Sequence, residues 1–270
     1  MAANFLRTIS IMPANKRKQE ILGTGLGIFL LLALILVLRA AKGGLVIFPE
    51  PAEVLRTFFR ILGEGKTYRL IGTTVANVLI SLAAAVLIGG TLGFLEGVYP
   101  FFKALMKPVM SLLRTMPMIV LIILIMVLFP DRKYRYVPVI SVSLVLIPII
   151  SEAFCEGCLS IDQEYLDVYR LNSRFNLNVL THVHLPLISG YVRQAFINAA
   201  GMGFKIAITA EYLVQTAHSL GKEIYMSTYF NEYEEIYAYA LLVVILVMLI
   251  SWIPSIPGIA GARKNRKGIS

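Results

Sequence analysis

Apolar segments of bilayer-crossing length recur along this chain, at residues 21–39, 70–95, 101–129, 137–159, 187–212 and 236–253. Hydrocarbon offers no partner to a backbone N–H or C=O, so a segment crossing it must satisfy those groups as a helix or within a closed barrel. Barrel strands are about 10 residues long and alternate apolar with polar positions. These runs are longer and do not alternate. At about 1.5 Å per residue, some 20 residues cross the hydrocarbon core. The expected fold class is therefore an all-α membrane protein with six transmembrane helices. Charged residues make up only 15% of the chain, against about a quarter in soluble proteins.

The net charge of +9 does not point to nucleic acid, because the basic residues cluster beside the apolar runs. Lys16-Arg17-Lys18 precedes the first run, and Arg263-Lys264-Asn265-Arg266-Lys267 follows the last. Excess Lys and Arg mark cytoplasmic flanks, which puts both termini on the cytoplasmic side of the cell membrane and requires an even number of spans. The organisation expected is a basic leader (1–20), a transmembrane domain (21–257) and a basic tail (258–270). Residues 21–39 are too long for a signal-peptide core and are taken as a membrane anchor.

Cys155 and Cys158 are the two cysteines. One Cys-x-x-Cys with no second ligand pair, inside an apolar run, reads as packing rather than as a metal or redox centre. His182 and His184 are two apart and would point to different faces of a helix, unlike the i, i+4 pair of a helical zinc site. No metal, cofactor or catalytic residue is expected. Gly65-Lys66-Thr67 ends like a phosphate-binding loop, but Arg60 stands where that motif needs glycine, so the chain is not expected to bind ATP through a P-loop.

Pro51 and Glu53 suit a helix start, and Val54, Leu55, Phe58, Phe59 and Leu62 recur at helical spacing. An amphipathic helix on the outer face of the membrane is expected there. Gly89, Gly93 and Gly97 form a bare stripe that lets a neighbouring helix come close. In the third run Pro117 breaks the helix ladder one turn after Arg114. Ionisable residues inside apolar runs are functional candidates: Arg114, Glu152, Lys205 and Glu211 form the candidate translocation pathway. Lys205 and Glu211 are six apart and do not share a helix face, which makes Glu152 the better partner for Lys205.

The longest polar interruption covers residues 162–184 and ends at Leu185-Pro186, where proline opens the next apolar helix. This layout resembles the cytoplasmic Glu-Ala-Ala loop of the membrane subunits of ATP-binding-cassette importers. Asp167-Val168-Tyr169 falls on Glu-Ala-Ala, Ser173 on the family glycine, and Leu185-Pro186 on the closing Leu-Pro. Tyr169 and Ser173 depart from the pattern. Arg114-Thr115-Met116-Pro117, Ala210-Glu211-Tyr212-Leu213 and Ser219-Leu220-Gly221, in that order, look like the permeases of nitrate, sulfonate, taurine and bicarbonate importers.

The resemblance implies a type I ABC importer permease bundle. It also implies a second permease copy (a homodimer), a separate ABC ATPase subunit and an extracytoplasmic solute-binding protein. Asp167, Val168, Tyr169, Ser173, Leu185 and Pro186 would couple the permease to the ATPase. The alternative from the residues alone is an ion-driven transporter using Glu152, Lys205 and Glu211.

Overall fold

The computed structural model describes residues 49–129, 131–161 and 185–252, all helices and connecting turns. The first expected span, the chain termini and the 162–184 loop, with Asp167, Val168, Tyr169 and Ser173, lie outside the described residues. Residues Glu64–Met226 form one compact unit, and Pro51–Gly63 packs with Tyr233–Trp252 in another.

In the smaller unit, helix α1 (Pro51–Gly63) starts as its sequence dictates. Pro51 needs no hydrogen-bond acceptor at the first turn, and the Glu53 carboxylate accepts from the Glu50 N–H at 3.1 Å, half of a capping box. Thr57, Phe58 and Ile61 make the buried face. The last helix of the chain runs Tyr233–Trp252, with Glu234 and Glu235 in its first turn, where acidic groups favour the helix dipole. Those two also hold α1: Arg60 Nη2 pairs with Glu235 Oε1 at 2.8 Å and Thr57 Oγ1 donates to Glu234 at 3.3 Å.

The larger unit is built on α2 (Gly65–Val98), which packs most extensively against α5 (Val137–Leu159). The glycine stripe of α2 is the reason. A Cβ on Gly89 would meet the Ile147 carbonyl at 2.7 Å, one on Gly93 would overlap the Ser151 carbonyl, and one on Gly97 would meet Cys158 Cβ at 2.5 Å. Small residues every fourth position thus let the two backbones touch. The cysteines are free and buried at that seam. Serines stitch the other end: Ser81 Oγ donates to the Val139 carbonyl at 3.0 Å and Ser143 Oγ to the Ser81 carbonyl at 3.4 Å.

The expected third span is not one helix. It divides into α3 (Pro100–Thr115) and α4 (Met118–Leu128), bent by 103°. Pro117 has no N–H to continue the ladder, and Met116 is extended at φ −65°, ψ 127°, as a residue before proline prefers. Position alone foretold the break; the angle depends on where α4 packs. There Leu121, Ile122 and Ile125 are buried with Val137 and Ala210. A short 3-10 helix, Asp131–Tyr136, replaces the expected polar turn and leads into α5.

Helix α6 (Leu185–Val214) covers the expected fifth span. Gln215 at φ 54° and the Thr216 N–H donating to the Glu211 carbonyl at 3.2 Å close it with a left-handed cap. The chain continues through α7 (Leu220–Tyr229) into α8 (Tyr233–Trp252). Among the described residues two helical stretches, Gly65–Val98 and Tyr134–Leu159, are long and apolar enough to cross a membrane, and the bent pair α3–α4 counts as a third.

Candidate functional site

Two ionic and polar centres lie in the larger unit. In the first, the Arg114 guanidinium grips Glu152 with both nitrogens, Nη1 to Oε1 at 2.8 Å and Nη2 to Oε2 at 2.6 Å. Nη2 also donates to the Pro148 carbonyl at 3.0 Å. A fork-on-fork pair of this kind fixes orientation as well as charge. It ties the last turn of α3, immediately before the 103° break, to the middle of α5. The side chains are 39% and 50% exposed within the chain. The pair stands in the wall of a cavity of about 440 Å3 between α3, α5 and the end of α2, which Lys103, Lys107, Glu96 and Glu156 also line.

The second centre is built on Glu211, which is fully buried. Thr74 Oγ1 donates to Oε2 at 2.8 Å, Asn77 Nδ2 to Oε1 at 2.9 Å and the Gly221 N–H to Oε2 at 3.4 Å. Thr74 Oγ1 in turn accepts from the Leu220 N–H at 3.1 Å. Glu211 therefore joins α6, α2 and the start of α7 through one carboxylate. Gly221 is required at this point: a Cβ there would lie 2.5 Å from Glu211 Cβ and 2.6 Å from the Ile208 carbonyl. The sequence marks Ala210-Glu211-Tyr212-Leu213 and Ser219-Leu220-Gly221 are thus two halves of one contact.

Lys205 takes neither partner expected of it. Glu152 is held by Arg114, and among the described residues Lys205 makes no ion pair; its side chain lies on the exposed face of α6. That face carries a line of polar groups at helical spacing, Gln194, Asn198, Lys205 and Thr209. Gln194 donates to Asn198 at 3.2 Å and Thr209 Oγ1 to the Lys205 carbonyl at 2.9 Å. Gly203 belongs to the opposite, buried face, where a Cβ would reach Leu146, Val142 and Val78 at 3.3–3.6 Å. It thins the helix for packing and not beside Lys205. No hydrogen bond or ion pair among the described residues joins any two of Glu152, Lys205 and Glu211. Leu185 and Pro186 open α6.

Thr74, Asn77 and Glu96 were not singled out in the sequence. The signal was present: each is a polar residue within the apolar α2, where a polar group must find a partner or a cavity. Lys66 of the rejected phosphate-loop pattern pairs with Glu223 at 2.7 Å.

The described helices thus include a broken apolar pair, α3–α4, with polar centres between helices of the larger unit. The family described as binding-protein-dependent transport system inner membrane component matches residues 85–256. The chain belongs to that family and is an ABC importer permease. It is 22% identical over 203 residues to a probable ABC transporter permease protein of Brucella melitensis, covering 75% of this chain and 81% of the relative. A Brucella abortus protein of the same description matches equally, at 22% identity, with 80% of its length covered.

Among solved structures, the methionine ABC transporter MetNI, in an inward-facing conformation, superposes with a TM-score of 0.63 at 18% identity, covering 73% of this chain and 96% of the other. A bacterial ABC transporter involved in import of the acidic polysaccharide alginate gives a TM-score of 0.62 at 14% identity, over 89% and 96%. These likenesses establish the fold. The same fold occurs in an alginate transporter solved with its pentasaccharide-bound periplasmic protein.

Proposed function

We propose that this permease pairs with a second copy of itself, crosses the cell membrane six times with both termini inside, and passes a small anion of the nitrate, sulfonate or bicarbonate kind. An extracytoplasmic binding protein delivers the solute, and a separate ABC ATPase drives the subunit through residues 162–184. In this reading Asp167, Val168, Tyr169, Ser173, Leu185 and Pro186 form the ATPase contact. Closure of the ATPase biases a two-state equilibrium of the helices, so the pathway opens to alternate sides.

The observation that carries the pathway assignment is the exposed polar line on α6. Gln194 to Lys205 spans 11 residues, or about 16 Å along the helix. Lipid facing that line would leave an ammonium in hydrocarbon, at a cost of about 2.5–3.5 kcal/mol. A water-filled passage removes the cost and supplies a role for the charge. Lys205 would attract the anion, and Arg114 with Glu152 would brace the broken span beside the passage. Glu211, enclosed by its three donors, holds helices together and does not meet solute.

The test replaces Lys205 in the importer reconstituted with its ATPase and binding protein. Lys205→Met should leave assembly and basal ATP hydrolysis intact while lowering uptake of radiolabelled nitrate, bicarbonate or alkyl sulfonate at least tenfold. Lys205→Arg should retain most uptake. A Lys205→Met permease that transports at the parent rate overturns the pathway assignment.

A further inference from the structure

Helix α3 differs from its neighbours in what holds it. Along the glycine stripe α2 and α5 meet backbone to backbone, and α4 buries Leu121, Ile122 and Ile125. Of the 16 residues of α3 only Met110 is buried. Phe101, Leu105, Val109 and Leu112 make an exposed apolar side. On the opposite side, about 200° around the helix, the fastenings are charges. Lys103 acts on Glu96 of α2, and Arg114 grips Glu152 of α5.

A packed seam resists separation, because parting it opens a void that forfeits contacts along its length. Charges that water can reach resist far less. The Arg114 and Glu152 side chains are 39% and 50% exposed, so each can be hydrated when the two part, and pairs this open are easily broken. Glu156 lies one turn along α5 in the wall of the same cavity and makes no ion pair among the described residues. A released guanidinium therefore has a second carboxylate within one helical turn, and a one-turn step is a known form of switching.

The pair also stands where motion is possible. The 103° break into α4 lies at Met116-Pro117, immediately after the turn that carries Arg114. Proline has no N–H, so a change of angle there breaks no hydrogen bond of its own. Glu152, for its part, belongs to the helix that ends at Leu159, just before residues 162–184.

We infer that Arg114 and Glu152 form a latch, closed in the conformation described and released in the opposite one. When it opens, α3 swings away from α5 about Met116-Pro117. The inference rests on the proposed drive through residues 162–184 and adds the element that the drive displaces.

The experiment uses the importer reconstituted with its ATPase, in a background lacking Cys155 and Cys158 and carrying Ser111→Cys on the cavity wall. The rate of its reaction with a maleimide is read without nucleotide and after trapping with ADP and vanadate. The two states of this parent should differ at least fivefold, because the open latch exposes the cavity in one of them. Glu152→Gln should react at the faster rate in both states. Arg114→Gln breaks the latch from the α3 side and should do the same. Exchanging the charges, Arg114→Glu with Glu152→Arg, should restore at least a threefold difference. Equal rates in the parent would overturn the inference. So would a fivefold difference that survives either single substitution, single variants that stay slow in both states, or an exchange as unresponsive as they are. Trapping is scored separately by retained nucleotide. An importer that traps no nucleotide refutes the ATPase-driven reading, whereas one that traps it with equal rates refutes only the latch.

Discussion

Removing the Glu211 carboxylate should destabilise the larger unit of this permease severely. In Glu211→Ala three donors lose their acceptor at once: the Thr74 hydroxyl, the Asn77 amide and the Gly221 N–H. Each buried donor left unpaired costs about 1–3 kcal/mol, so the total is about 3 kcal/mol at the least. Glu211→Gln is the finer probe. Its Oε1 can still accept from Asn77, and its amide can donate to Thr74 Oγ1, which has a free lone pair beside the Leu220 N–H. The Gly221 N–H then faces an NH2 group and has nothing to bind. Two bonds to Oε2 are lost, from Thr74 and Gly221, and one from the new amide is gained; the net loss of one bond costs about 2 kcal/mol, and by the scaling for chains of this size the melting temperature falls by about 4–8 °C.

The assay is thermal unfolding of the purified permease in detergent, followed by intrinsic fluorescence. The ordering is the prediction: parent above Glu211→Gln, and Glu211→Ala lowest or too unstable to accumulate. Gly221→Ala attacks the same contact from the other side and should fall with Glu211→Ala, because its new methyl meets the α6 backbone. A Glu211→Gln protein that melts within a degree of the parent would refute the three-donor clamp.

Three further outcomes are open to measurement. Gly93→Ala should destabilise the permease by about 1–3 kcal/mol through overlap with the Ser151 carbonyl; Gly72→Ala, with open space around it, should instead stabilise by about 0.4–1 kcal/mol, and equal melting temperatures would remove the case for the tight α2–α5 seam. Asp167→Lys and Tyr169→Asp should reach the membrane yet lose solute-stimulated ATP hydrolysis; normal hydrolysis and uptake in both would show that residues 162–184 do not couple. In a background lacking Cys155 and Cys158, a cysteine placed at Glu53 or Glu232 should react with an impermeant reagent from outside, and one at Asn176 only from inside; labelling of Asn176 from outside would dismiss the six-span topology.

The sequence by itself determined that this is a helical membrane protein, because long unbroken apolar runs leave the backbone no other way to satisfy its hydrogen bonds in lipid. Local chemistry also determined the starts and stops: Pro51 with Glu53 opens α1, Pro117 breaks the third run, and Leu185-Pro186 begins α6. The glycine stripe announced a close helix contact one residue in four. It could not name the partner, since any helix presenting a flat backbone would fit; only the fold put Ile147, Ser151 and Cys158 there.

The ionisable residues show the same division. Their cost in an apolar run made Arg114, Glu152, Lys205 and Glu211 conspicuous, but pairing depends on distances between elements far apart in the chain. Sequence spacing favoured Lys205 with Glu152. The bend at Pro117 sets Arg114 against α5 instead, and its two-pronged guanidinium takes both carboxylate oxygens of Glu152. Glu211, a candidate for solute contact by its charge, is enclosed because Thr74, Asn77 and Gly221 converge on it from two other segments. Which residues stand in apolar surroundings is written along the chain; which of them meet is decided by how the helices pack, because that packing alone brings donors and acceptors within about 3 Å.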